Sequence, residues 1–163
     1  MSGKGEKKQL AEEMKKAAEL FREAVREEYG VVLGHGRDFF KDLDLVVDSE
    51  ARSGLEPTEA RQVALAVAAC LGEELRAQLP GKWEWDLDER SGPVVLSIDG
   101  RRCLHVNALC EARLLALGVK LDIEEPRRQV YEAWVKARRD EVMSFAKYFE
   151  VCSEEAKARG AGE

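Results

Sequence analysis

No apolar run in this sequence is long enough to cross a bilayer. The longest, Val63 to Leu71, is alanine-rich and falls well short of the ~20 residues a membrane helix needs. The first residues, Met1 to Lys8, are charged with no apolar segment behind them, so no secretory leader is expected. Positive charge is not in excess. Lys and Arg number 26 against 32 Asp and Glu, for a net charge of −6, which disfavours broad contact with a phosphate backbone. The four cysteines, Cys70, Cys103, Cys110 and Cys152, are scattered. No Cys-x-x-Cys or His-x-x-x-His knuckle is present, so neither a disulfide framework nor a zinc site is expected. No Gly-Lys-Ser/Thr loop, internal repeat or low-complexity linker appears. These absences point to one soluble domain over 1–163, with frayed ends at 1–6 and 159–163. They place it in the cytoplasm with reduced thiols, no metal or cofactor and no membrane partner.

What is present is helical periodicity around one strand-rich stretch. A first helix is predicted from about Lys7 to Tyr29, with Leu10, Met14, Ala17, Phe21 and Ala24 at heptad steps, ending at Gly30. A second runs from about Asp38 to Arg52 and buries Phe39, Phe40, Leu43, Val46 and Val47. A third opens at Pro57, where a missing N–H needs no partner, and continues to about Leu79. Its alanines let neighbours approach closely, so it is expected to be central. Lys82 to Leu87 then alternates Trp83, Trp85 and Leu87 with Glu84 and Asp86, a strand pattern. After a turn at Asp88–Gly92, a second strand is expected over Val94–Ile98 with Leu96 and Ile98 inward. Asp99-Gly100 is a hairpin turn signal, because both positions tolerate positive φ, and Arg101–Val106 is the third strand.

Asn107 is placed to cap a short helix over Ala108–Leu117. Val119–Ile123 reads as a fourth, edge strand. A single long helix is predicted from Pro126 to about Lys157, with Val135, Val142, Phe145, Phe149, Cys152 and Ala156 on one seam. The fold class is therefore α+β: four to five helices packed on a three- to four-stranded antiparallel meander, with a long C-terminal helix. The two heptad-bearing terminal helices can pack on each other, or on a second copy of the chain. Leu10, Met14, Phe21, Val142, Phe145 and Phe149 are the residues such an interface would use. Ordinary amphipathic packing on one core is the simpler explanation.

Chemistry-bearing residues are few. Cys103 and His105 sit two apart on a strand and share a face, too far apart for a nucleophile–base pair unless they lean together. Trp83 and Trp85 point the same way. Core packing against the third helix accounts for them, and a pocket near His105 and Cys103 is the functional alternative. Gly34-His35-Gly36 precedes a helix and can present amides to an anion, although a hinge explains the glycines with less. The acidic residues Glu73, Glu74, Glu84, Asp86, Asp88 and Glu89 read as a solvated rim. The basic residues Arg127, Arg128, Lys136, Arg138 and Arg139 alternate with Glu132, Asp140 and Glu141 as salt-bridge lacing.

One stretch is familiar. Leu71-Gly72-Glu73-Glu74-Leu75 closes an alanine-rich helix, Gly81-x-Trp83 opens a strand, and Gly92-Pro93-Val94-Val95 and Asp99-Gly100 follow. This resembles small uncharacterised bacterial domains with an "LGE…GxW" signature, over about residues 57–125. The resemblance implies a bacterial source and a helix packed on a small sheet, and implies no activity, substrate or cofactor. Within it Gly72 is expected to permit a close crossing, and Glu73 to bond backbone or an arginine. With no coherent catalytic set, the expected role is a non-enzymatic protein-interaction or regulatory domain, whose partner is another protein or itself. The alternatives are a small-molecule-binding domain or enzyme, and an immunity- or antitoxin-type partner of a basic protein.

Overall fold

Helix α3 (Pro57–Gln78) is the axis on which the other elements are laid. It belongs to a computed structural model that describes residues 3–79, 81–86, 92–97 and 102–161. The Glu56 N–H donates to Glu59 Oε1 at 3.3 Å, and Pro57 occupies the first turn, so the helix start is held as its sequence suggests. Ala60, Ala64, Ala68 and Ala69 are fully buried beside Val67, Leu71 and Leu75. Small side chains on more than one face admit a helix on each side. Helix α1 (Gly3–Tyr29) packs on one, helix α4 (Val106–Ala116) on the other.

Helix α1 buries Leu10, Met14, Ala18 and Val25, with Ala17 and Phe21 half-buried at the edge. It begins within the stretch expected to fray and ends where Gly30 takes φ 68° and donates its N–H to the Arg26 carbonyl at 3.0 Å, the usual left-handed stop. Helix α2 (Arg37–Arg52) buries the five residues its pattern assigns, Phe39, Phe40, Leu43, Val46 and Val47.

Strands β1 (Gly81–Asp86), β2 (Gly92–Ser97) and β3 (Arg102–Leu104) form an antiparallel sheet in the order β1-β2-β3. Trp83 pairs with Val95, and Leu96 with Cys103. Val94 and Val95 are both buried, because the central strand meets α3 and α4. The Asp88–Gly92 turn up to Ser91, the Asp99-Gly100 turn, and Leu87, Ile98 and Arg101 lie outside the described residues.

Three expectations need correction. The short helix starts earlier, with His105 as its N-cap and Asn107 inside it. From Val106 to Leu114 every residue is buried, and that burial outweighs a capping preference worth ~1 kcal/mol. Val119–Ile123 is not a strand. Its alternation is real, since Val119 and Leu121 are buried, but arginines instead of a sheet edge take its carbonyls. Arg61 donates to Asp122 O at 3.2 Å and Arg128 to Leu121 O at 3.5 Å.

The long C-terminal helix is three helices: α5 (Glu125–Ala137), α6 (Arg139–Val142) and α7 (Phe145–Ala161). Tyr131, Val142, Phe145 and Cys152 are all buried. A straight helix from Tyr131 to Cys152 would be about 31 Å long, which would carry one end past so small a core. Ser144 Oγ accepts the Lys147 N–H at 3.2 Å, and Asp44 accepts the Phe145 N–H at 2.8 Å, so the break supplies α7 with its own N-terminal cap. Each terminal helix has an internal partner: α1 lies on α3, and α7 on α2, where Phe149 stacks on Phe40 at 4.6 Å.

Candidate functional site

Trp83 and Trp85 have different fates. Trp83 is buried, with its ring over Gly72, and its indole N–H donates to Glu73 Oε2 at 2.7 Å. Gly72, Glu73 and Trp83 thus form one packing unit. It joins the end of α3 to β1 and gives the Leu-Gly-Glu and Gly-x-Trp segments a common physical cause. Two residues on, the Trp85 side chain is 51% exposed. It stands on the wall of a groove of about 490 Å3 between α1, α3, the β1–β2 pair and the start of α4.

The groove is mostly apolar. Leu10, Met14 and Ala17 come from one face of α1, Leu65 from α3, and Trp85 and Pro93 from the sheet. The polar groups that converge on it are Glu13, Arg61, Gln62, Asn107 and Glu111. Glu111 is almost wholly buried. Its Oε1 accepts the Tyr131 hydroxyl at 2.5 Å and its Oε2 accepts Arg61 Nε at 3.0 Å. Burial, and then the Glu111 charge, push the Tyr131 phenol far above its ordinary range. The shift favours the protonated phenol, the form that donates to Glu111. Sequence reasoning missed Glu111 and Arg61. The available signal was two charged residues, Glu111 and Arg113, inside an otherwise apolar stretch, which marks buried and paired charges.

Cys103 and His105 do not join Trp83 and Trp85. They line a second, smaller pocket of about 140 Å3 with Leu109, Trp134, Arg138, Glu141 and Tyr148. Cys103 is exposed, whereas Cys70, Cys110 and Cys152 are buried. Burial pushes the Cys70 thiol up to about 12 and raises that of Cys110 as well. Alkylation with iodoacetamide at pH 8 is expected to modify Cys103 alone in the folded protein, and all four thiols in urea. Mass spectrometry with peptide mapping reads this, and rapid native labelling of Cys70 or Cys110 would contradict it.

The Gly34-His35-Gly36 segment does receive an anion, and the anion is the protein's own. Glu74, buried on α3, accepts the Gly36 N–H at 3.1 Å and Gln78 Nε2 at 3.0 Å, and its Oε1 lies 2.7 Å from His35 Nδ1. Arg22 approaches it at 3.6 Å while donating to the Leu33 and Gly34 carbonyls at 2.6 and 3.2 Å. This clamp ties the α1–α2 connection to α3. Burial alone would raise the Glu74 carboxyl. The hydrogen bonds from Gln78, His35 and Gly36 outweigh it, and the group ends below its ordinary 4.5. A depressed folded value contributes stability that is full above the unfolded value and is lost as pH falls through the folded one. The Glu74→Gln variant is expected to lose stability at neutral pH and to show a flatter stability–pH curve below about 4.5 than the parent, read by urea unfolding at stepped pH. Parallel curves would contradict the assignment.

The residues considered for self-association lie within the fold. Leu10, Met14, Val142 and Phe145 are buried, and Phe21 and Phe149 are half-buried against the core. Among the described residues no helix is long and apolar enough to cross a membrane. Comparison with protein-family models, curated proteins and solved structures found no match.

Proposed function

We propose that this chain is a non-enzymatic binding domain that takes a small amphipathic molecule in the groove beside Trp85. The observation that carries this reading is the groove itself. It is a concavity of about 490 Å3 with apolar walls and a few convergent polar groups, within the ~300–1,000 Å3 range typical of small-molecule sites. The groups around it are preorganised. Glu111 is held by Arg61 and Tyr131, Pro93 is buried in β2, and the Trp83 unit anchors the strand that carries Trp85. Among the described lining residues no nucleophile stands beside a base, and the reading is therefore of binding.

Self-association through Leu10, Met14, Phe21, Val142, Phe145 and Phe149 is a weaker reading. It asks side chains already packed inside one chain to serve another. The test of the leading reading is titration with a neutral naphthyl alcohol, followed by amide and indole N–H chemical shifts. Saturable shifts at Leu65, Trp85 and Glu111 are expected. In Trp85→Ala the affinity should fall by about tenfold, the equivalent of ~1.4 kcal/mol. Shifts that never saturate, or that map elsewhere, would remove the reading.

A further inference from the structure

The charges around the groove say more about what it selects, on the premise that it is a binding site. Among the described residues three formal charges line it: Glu13, Arg61 and Glu111. Arg61 and Glu111 cancel, because they are joined at 3.0 Å. The Arg61 guanidinium is further engaged with the Asp122 carbonyl at 3.2 Å. Glu13 is exposed, accepts only the neutral Gln9 amide at 3.1 Å, and is in no ion pair among the described residues. Among the described lining residues one uncompensated negative charge therefore remains, on a chain whose net charge is −6. The same groove carries the half-exposed Trp85 ring. An indole face is the best aromatic partner for a cation. An anion would meet the Glu13 charge, and Arg61, the one cation among the described lining residues, is already engaged with Glu111 and the Asp122 carbonyl.

We propose that the groove selects a free organic cation with an apolar, ring-bearing body. The body rests on the exposed Leu65 side chain, with the buried Leu10 and Met14 closing the floor beneath it, and the positive head is served by the Trp85 ring and the Glu13 carboxylate. This selectivity adds a preference of sign to the binding proposed above, so the two can fail separately. The experiment uses the full chain and three probes of matched size, naphthylethylammonium, naphthylethanol and naphthylacetate, compared by calorimetry and by shifts at Leu65 and Trp85. The ammonium is expected to bind about tenfold more tightly than the alcohol, and the carboxylate more weakly than either. In Glu13→Gln the affinity of the ammonium should fall to near that of the alcohol, with the alcohol unchanged. Trp85→Ala should lower both and narrow the difference between them. Neither change touches a buried side chain, so both variants should fold. Raising the salt concentration should narrow the gap as well. Equal affinity for the three probes, or an ammonium preference that survives Glu13→Gln, would overturn the cation selectivity and leave the binding reading standing. Failure of all three to bind would overturn both.

Discussion

Gly72→Ala is expected to destabilise the protein by about 2 kcal/mol or more, although alanine is the better helix former by ~1 kcal/mol. The reason is the Trp83 ring. A Cβ on Gly72 would fall inside van der Waals contact with ring carbons Cη2 and Cζ2 and sit 3.1 Å from Cζ3. The indole cannot simply retreat, because its N–H is held by Glu73 at 2.7 Å and Trp83 is only 2% exposed. The strand or the helix must move instead, at the expense of close packing around α3. Urea unfolding of the single variant should show the loss as a shifted midpoint with an unchanged slope. Pairing Gly72→Ala with Trp83→Leu supplies the control, since the smaller side chain leaves room for the methyl. The double variant should then lose less than the sum of the two single losses, by about 1 kcal/mol or more. Strict additivity would show that the helix and the indole do not meet in solution.

Asp44→Ala is expected to cost about 3 kcal/mol or more, while Arg113→Met costs less. Arg113 on α4 is 1% exposed. Its guanidinium bonds to the Asp44 carboxylate on α2, reaches the Asp44 carbonyl at 3.3 Å and Asp48 at 3.2 Å, and lies 4.4 Å above the Phe145 ring. Asp44 also accepts the first amide of α7, from Phe145, at 2.8 Å. Removing the carboxylate leaves a buried guanidinium short of its nearest anion and uncaps a helix in one step. Replacing Arg113 with methionine keeps much of the volume and leaves Asp44, whose side chain is 18% exposed, within reach of water. The order of the two losses, measured by denaturant unfolding, is therefore diagnostic. If Arg113→Met were the more damaging, the pair would not be working as a buried clamp.

Much of the helical framework was legible because its causes are local. Pro57 opens α3, Gly30 stops α1, and the apolar positions of α2 are those that the structure buries. The Ser144 cap that divides the C-terminal helix was also written locally, but a heptad seam running across it hid it. That seam, Val142, Phe145, Phe149 and Cys152, still faces the core in the bent arrangement. A periodic pattern identifies the face of a helix and leaves its straightness open. The Val119–Ile123 segment shows the same limit. Its alternation marks which side chains are buried, while a strand also needs a neighbour to accept its backbone bonds.

The candidate site was legible only in part. Trp83 and Trp85 were found as a same-face pair, and the structure sends one into the core and the other to a groove. Nothing within β1 distinguishes them. Gly72 lies opposite one, and the open gap over Leu65 lies opposite the other. Likewise Cys103 and His105 were seen together and do share a pocket, but that pocket is bounded by α4, α5, α6 and α7 instead of Trp83 and Trp85.

The apolar periodicities and the breaker residues by themselves determined an α+β chain with an alanine-rich helix at its centre and an antiparallel strand cluster beside it. Only the tertiary structure decided which charges are buried and paired, where the long helix bends, and that a groove opens beside Trp85. The division has a physical basis. Helix and strand periods are carried by residues a few positions apart, whereas Glu111 meets Arg61, Arg113 meets Asp44 and Trp83 meets Gly72 across the packed elements. Only folding establishes those contacts.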